Sequence, residues 1–257
     1  MTLMKKCLMV VMAVVFSLGL SGCYSGKDPA MAPLSKAVLA ELALKKLRPG
    51  NPLFVRIFKE ENALEVWMRG RGSEYKKFKT YKICNWSGKL GPKLKTGDKQ
   101  APEGFYVIKP GQLNPNSSYH LSFNLGFPNL YDKAYARTGS YLMVHGDCKS
   151  AGCYAMTDAQ IEEIYALIRE AYRGGQRYFQ VHAFPFRMTD ANMQRYQGHR
   201  WYAFWRNLKE GYDLFERDRI PPGIGVLDKR YVFNIPGEAD LSGAVSKLLI
   251  IAKDSGA

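Results

Sequence analysis

His145 and Cys153 are the two residues whose types and spacing could do chemistry. They lie in the stretch Tyr141-Leu-Met-Val-His145-Gly146-Asp147-Cys148-Lys149-Ser150-Ala151-Gly152-Cys153-Tyr154-Ala155-Met156. A thiol attacks a carbonyl as its thiolate, and a nearby imidazole can take the proton and later return it to a leaving amine. The apolar residues before His145 read as a strand that delivers the imidazole. Thr157-Asp158-Ala159-Gln160 has the form of a helix cap just after Cys153. The positive end of that helix would lower the thiol pKa. Gly146 and Gly152 allow tight turns and close approach of a substrate to backbone N–H groups. The Gly152 N–H is the expected oxyanion donor, and Ser150 is expected to shape the loop. A second reading takes His145, Cys148 and Cys153 as three zinc ligands. Their spacing departs from the usual zinc pattern and no second ligand cluster follows, so the favoured reading has no metal.

The elements that must hold these residues are legible in outline. Residues 34–48 read as a helix capped by Ser35 and stopped by Pro49-Gly50. Alternating patterns predict strands at 53–58, 63–69 and 78–84, with a hairpin joining the first two. Residues 85–101 are rich in Gly, Lys and turn formers and read as a loop. Further short strands are expected at 104–108, 119–124 and 140–144. After the capping box, Ile161, Ile164, Tyr165, Leu167, Ile168 and Tyr172 line one helical face, and Gly174-Gly175 ends it. A strand at 178–184 follows, then a helical stretch from Thr189 toward Asn207, broken near Gly198. A last helix is expected at 241–253. The fold class is therefore mainly β with added helices, α+β, with no internal repeat.

The start of the chain bears on compartment. Lys5 and Lys6 precede an apolar run over residues 7–20. That run is short for a membrane span, which needs about 20 apolar residues, and suits a secretory signal. Leu20-Ser21-Gly22-Cys23 then resembles a bacterial lipobox. Residues 1–22 are expected to be a lipoprotein signal, Cys23 the lipidated residue, 23–33 a polar tether, and 34–257 the catalytic domain with helical extensions. Tyr24 after the cysteine leans toward the outer membrane. An ordinary cleaved signal or an uncleaved anchor are the alternatives. Lysine and arginine outnumber aspartate and glutamate 37 to 23, a net charge of +14. Outside the cytoplasm that charge points to lipid head groups or an acidic wall polymer rather than nucleic acid. With 46% hydrophobic and 23% charged residues, the composition excludes a disordered chain. Apart from Cys7 in the signal and Cys23, three cysteines remain, an odd number in an oxidising space. Cys84 and Cys148 either pair, leaving Cys153 free, or are separate buried thiols.

His145-Gly146 and Ser150-x-Gly152-Cys153 resemble the signature of the L,D-transpeptidases with a YkuD-type catalytic domain. Pro102-Glu103-Gly104-Phe105-Tyr106 resembles a segment found upstream in that family. Leu90-Gly91-Pro92-Lys93, Ser122-Phe123-Asn124-Leu125-Gly126-Phe127-Pro128-Asn129, Arg137-Thr138-Gly139-Ser140 and residues 182–189 are similar to its YafK-like branch. Together these segments cover roughly residues 50–210. The resemblance implies a β-sandwich-like core with Cys153 as nucleophile, His145 as general base and acid, and the Gly146 carbonyl orienting the imidazole. It implies attack on an amide at the diaminopimelate of a peptidoglycan stem peptide through a thioester, with no cofactor. An amine or water then resolves the thioester. The branch also implies an alternative, an amidase that frees an envelope protein from diaminopimelate.

Two positions depart from the family pattern. Ala151 stands where a histidine is usual, and Ala155 where an arginine is usual. Those residues normally serve the oxyanion site and the substrate carboxylate. His182 and Arg187 are the candidates to replace them, His182 also reading as a buried structural residue. Tyr131 and Arg137 are expected to line the substrate site. Lys93, Lys95 and Lys99 could hold substrate carboxylates or simply be a solvated loop. His120 and His199 read as structural. The departures keep open a third reading, a catalytically silent peptidoglycan-binding lipoprotein.

Overall fold

The computed structural model describes residues 28–234. The expected signal, Cys23, the first part of the tether and the helix at 241–253 lie outside those described residues. In chain order the elements are α1 (Lys36–Leu44), β1 (Leu53–Phe58), β2 (Ala63–Arg69), β3 (Tyr75–Lys82), β4 (Asn85–Trp86), β5 (Gly104–Ile108), β6 (Leu113–Ser117), β7 (His120–Asn124), α2 (Leu130–Ala134), β8 (Met143–His145), β9 (Tyr154–Ala155), α3 (Asp158–Arg173), β10 (Phe179–Phe184), α4 (Asp190–Arg195), α5 (Tyr202–Asp218), β11 (Ile224–Leu227) and β12 (Arg230–Phe233).

Two five-stranded sheets form an α+β fold. One runs β3-β2-β1-β10-β5, the other β4-β9-β8-β7-β6, and β11-β12 is a separate hairpin. Period-two alternation explains how they meet. Val55, Ile57, Val181 and Ala183 of the first sheet share a core with Phe123, Val144 and Tyr154 of the second and with Ile161, Ile164 and Ile168 of α3. Helix α3 starts as expected: the Thr157 hydroxyl accepts from the Gln160 N–H, and Gln160 returns the bond. The other face of the first sheet is also buried. Phe54 and Phe58 pack there under Phe215 and Tyr212 of α5. Each large apolar side chain so buried contributes roughly 1.5–3 kcal/mol.

Several elements differ from expectation. Residues 28–33 do not hang free as tether: Ala30 is buried, and the Arg169 guanidinium donates to the Ala30 and Ala32 carbonyls. The strand expected at 140–144 is displaced to Met143–His145, because Tyr141 sits in the left-handed region (φ 56°), which no strand tolerates. β4, β9, α2 and the β11-β12 hairpin are too short to leave a periodic signal, and β6, Leu-Asn-Pro-Asn-Ser, has a single apolar residue and a proline. The broken helix after Thr189 is α4 and α5, and α5 runs on to Asp218. Among the described residues, no helix is long and apolar enough to cross a membrane.

Candidate active site

Strand register brings His145 and Cys153 together. β8 and β9 are parallel neighbours, with Val144 opposite Tyr154 and His145 opposite Ala155. Val144 and Tyr154 point into the core. Their chain neighbours His145 and Cys153 therefore share the opposite face, as diagonal neighbours across the strand pair. Parallel strands usually need a crossover of a dozen or more residues. Here only residues 146–153 make the connection, and Asp147, Cys148 and Gly152 all adopt positive φ to do so.

Each group in this loop is held from several sides. The His145 Nδ1 lies 2.6 Å from the Gly146 carbonyl oxygen. A carbonyl only accepts, so Nδ1 carries the proton and Nε2 is left with its lone pair. The Tyr119 ring tilts over the imidazole, 4.8 Å between centroids. A side chain on Gly146 would displace the Asp158 carboxylate, 2.5 Å from its Cβ, and press on the Tyr119 carbonyl at 3.1 Å. Gly152 is required by its φ of 122°. Ser150 Oγ donates to the Cys153 carbonyl at 2.8 Å and pairs with Ser87 Oγ, tying the loop as expected. Cys84 and Cys148 are joined in a disulfide, and Cys153 is the free cysteine among the described residues. The disulfide takes the Cys148 sulfur away from the alternative zinc set.

Cys153 itself is placed differently from expectation. β9 separates it from α3, so its sulfur does not sit at the helix N-terminus. The Met143 N–H points at Sγ (3.4 Å), and the Tyr141 carbonyl lies 3.7 Å away. Burial pushes the thiol pKa up, against the Met143 N–H and the Lys93 cation, which pull it down. Burial likewise pulls the imidazole down, opposed by the Gly146 carbonyl and Asp147. The Gly152 N–H, expected to be the oxyanion donor, is turned toward Ser150 Oγ at a long 3.4 Å.

The remaining candidates divide. His182 is fully buried on the far face of the first sheet, wedged between the Phe54 and Phe105 rings. Arg187 is bound to Glu65 and lies over Phe58. Neither reaches Cys153, so neither replaces the missing histidine or arginine. Tyr131 and Arg137 are brought together: the guanidinium pairs with Asp132 at 2.8 Å and lies 5.2 Å from the Tyr131 ring. Tyr131 also stacks on Tyr231. Lys93 is not part of a solvated loop; it is buried and bound to Asp98 at 2.5 Å. His120 pairs with Glu162, and His199 stacks on Trp205. Sequence reasoning missed Met143, Tyr119 and Ser122, whose hydroxyl is buried beside His145 without a hydrogen-bond partner among the described residues. Their roles come from strand pairing, which leaves no local signal.

Residues 54–173 match the sequence model of the L,D-transpeptidase catalytic domain, YkuD. Two Escherichia coli proteins, from strain K12 and from O157:H7, each named "Putative L,D-transpeptidase YafK", are 43% identical over 232 residues. The alignments cover 90% of this chain and 91% of each relative. The chain belongs to the L,D-transpeptidase family. Among solved structures it is similar to the helical cell shape determining protein Pgp2 from Campylobacter jejuni. That match has 19% identity and a TM-score of 0.42, covering 77% of this chain and 84% of that one. It is also similar to Bd1075 from Bdellovibrio bacteriovorus, with 18% identity and a TM-score of 0.38, covering 72% and 85%. In this family member Ala155, where the arginine usual in the family would stand, lies fully buried opposite His145. Lys93, from a segment distant in sequence, is the cation that opposes burial at the Cys153 thiol.

Proposed function

We propose that this L,D-transpeptidase family member is a cysteine acyl-transfer enzyme acting on peptidoglycan stem peptides. The observation that supports the reading is the β8–β9 register, which sets His145 and Cys153 on one face as diagonal neighbours, with Nδ1 fixed by the Gly146 carbonyl. In this mechanism the neutral imidazole takes the Cys153 proton at Nε2 as Sγ attacks an amide carbonyl at diaminopimelate. The proton then passes to the leaving amine, the C–N bond breaks, and a thioester remains. An acceptor amine resolves it in transpeptidation. Water resolves it if the chain is instead an amidase that frees an envelope protein. No cofactor is called for. Membrane attachment through lipidated Cys23 and an outer-membrane location facing the periplasm belong to the same proposal; the basic composition and the Cys84–Cys148 disulfide support them.

The test is to incubate the chain and its Cys153→Ala variant with diaminopimelate-type sacculi, and with sacculi carrying a bound lipoprotein, reading products by mass spectrometry. New diaminopimelate–diaminopimelate cross-links or exchanged terminal residues, lost in the variant, are the expected result. Release of the lipoprotein with water incorporated, again lost in the variant, would make the enzyme an amidase. No Cys153-dependent product with either substrate would leave the silent wall-binding reading.

A further inference from the structure

Two cavities outside the thiol site, of about 500 and 560 Å³, share the lining residues Leu94, Arg200 and Trp201. The first lies between α2, the start of α5 and the turn of the β11-β12 hairpin, with Tyr131 and Arg137 in its wall. The second runs along residues 89–100. Gln100, in the second, packs on the thiol loop: its carbonyl lies 3.6 Å from where a Cβ on Gly152 would sit. The two cavities thus adjoin through Leu94, Arg200 and Trp201, and Gln100 separates the second from the thiol loop.

The charges along these cavities are unevenly committed. Arg137 is buried, paired with Asp132, and supports the rings of Tyr131, Tyr135 and Phe204 from beneath. Asp98 is the carboxylate among the lining residues, and it is held by Lys93 and by the Leu94, Lys95 and Gln100 N–H groups. Arg200 and Lys229 are exposed and make no ion pair among the described residues. Arg200 lies over the Trp201 ring at 4.7 Å, and Lys229 over Tyr135 at 5.8 Å. Two cations without a carboxylate partner among the described residues therefore rest on aromatic rings of the wall.

We infer that these adjoining cavities are a binding groove for the carboxylate-bearing disaccharide-peptide portion of the substrate beyond the amide attacked. The inference rests on the proposed acyl-transfer reading for the identity of the ligand. Sugar rings present apolar faces that pack on Trp201 and Tyr135, and carboxylates form charge-assisted bonds to a guanidinium or ammonium group. The groove's position next to the Cys153 loop favours peptide carboxylates over the phosphates of a nucleic acid.

The experiment uses the full chain in detergent with Cys153→Ala, so that binding is read without turnover. The probe is a fluorescent uncross-linked disaccharide-tetrapeptide, alongside the same molecule with its carboxylates amidated and a single-stranded oligonucleotide. Adding Arg200→Ala with Lys229→Ala is expected to weaken binding of the free-acid probe by about tenfold or more. The amidated probe should bind the parent equally weakly and be indifferent to the two changes. Alkylation of Cys153 in the otherwise wild-type double variant should stay unchanged, showing an intact thiol loop. No binding of the free-acid probe, binding indifferent to the double change, or tighter binding of the oligonucleotide would each overturn the inference. Because the readout is binding, Arg200- and Lys229-dependent affinity without any Cys153-dependent product would overturn the acyl-transfer reading and leave the groove standing.

Discussion

Burial shifts the proton equilibria of Cys153 and His145 in opposite directions. It raises the Cys153 thiol and lowers the His145 imidazole, so both are neutral near pH 7. Under the proposed mechanism the thiolate is then made during attack and is not stored as an ion pair. Iodoacetamide labelling of the Cys153 peptide, followed by mass spectrometry, should rise with pH through a midpoint on the alkaline side of an ordinary thiol, about 8.5. A midpoint below pH 7 would mean a standing thiolate. Lys93 works against burial from its place beside Asp98. Lys93→Met should slow labelling at pH 7 by roughly two- to fivefold, with Lys93→Arg retaining most of the rate. Equal rates in the two variants would remove Lys93 from the site. Cys153 and His145 were legible because their chemistry names them. Lys93 was legible only as a cation on a polar stretch, since its burial arises from contacts with Phe127 and Asp98 that no local pattern encodes.

At the scale of elements, residues 89–103 look like a loose connection in sequence yet are clamped from both ends. Lys59 and Glu103 are fully buried and paired at 3.0 Å. Lys59 also donates to the Gly91 carbonyl, while Glu103 accepts from the Gly91 N–H and the Trp205 indole. α5 therefore fixes the segment that carries Lys93 and Gln100. Removing one partner of a buried pair strands the other's charge, at a cost of about 3–5 kcal/mol. Lys59→Met should lose that much in urea unfolding and should also change the Cys153 labelling rate. A loss under about 1 kcal/mol would show that the pair is not what holds the segment. The expected helix beyond Thr189 was readable from its apolar stripe, but its part in holding this loop was not.

At the scale of the whole molecule, the Cys84–Cys148 disulfide joins the end of the first sheet's edge strand to the thiol loop across a sequence separation of 64. Closing a loop of that length removes unfolded-state entropy worth about 4 kcal/mol in the chain-entropy picture. Cys84→Ser with Cys148→Ser should lower unfolding free energy by about 2–4 kcal/mol, and reductant should do the same to the parent. A parent whose urea midpoint ignores reductant would show that the cross-link constrains nothing. The disulfide also gives the odd cysteine count its meaning, because it leaves Cys153 as the free thiol among the described residues.

Sequence alone determined what depends on residue type and short-range period. It located the His145 and Cys153 pair, the capped helix α3, most strands of the first sheet, and a fold class of strands with added helices. The motifs pointed to the family, to which the chain belongs. Tertiary structure decided what depends on pairing between distant segments. It set Cys153 beside the Met143 N–H instead of a helix end, because two residues of β9 intervene. It withdrew His182 into an aromatic pocket, because period two turned it to the α5 side of β10. It gathered Tyr131, Arg137, Arg200 and Lys229 around one groove, although a short helix, a loop and a hairpin turn supply them. Local patterns are set by each residue's own geometry and neighbours, whereas strand register and inter-element contacts are set by how the whole core packs.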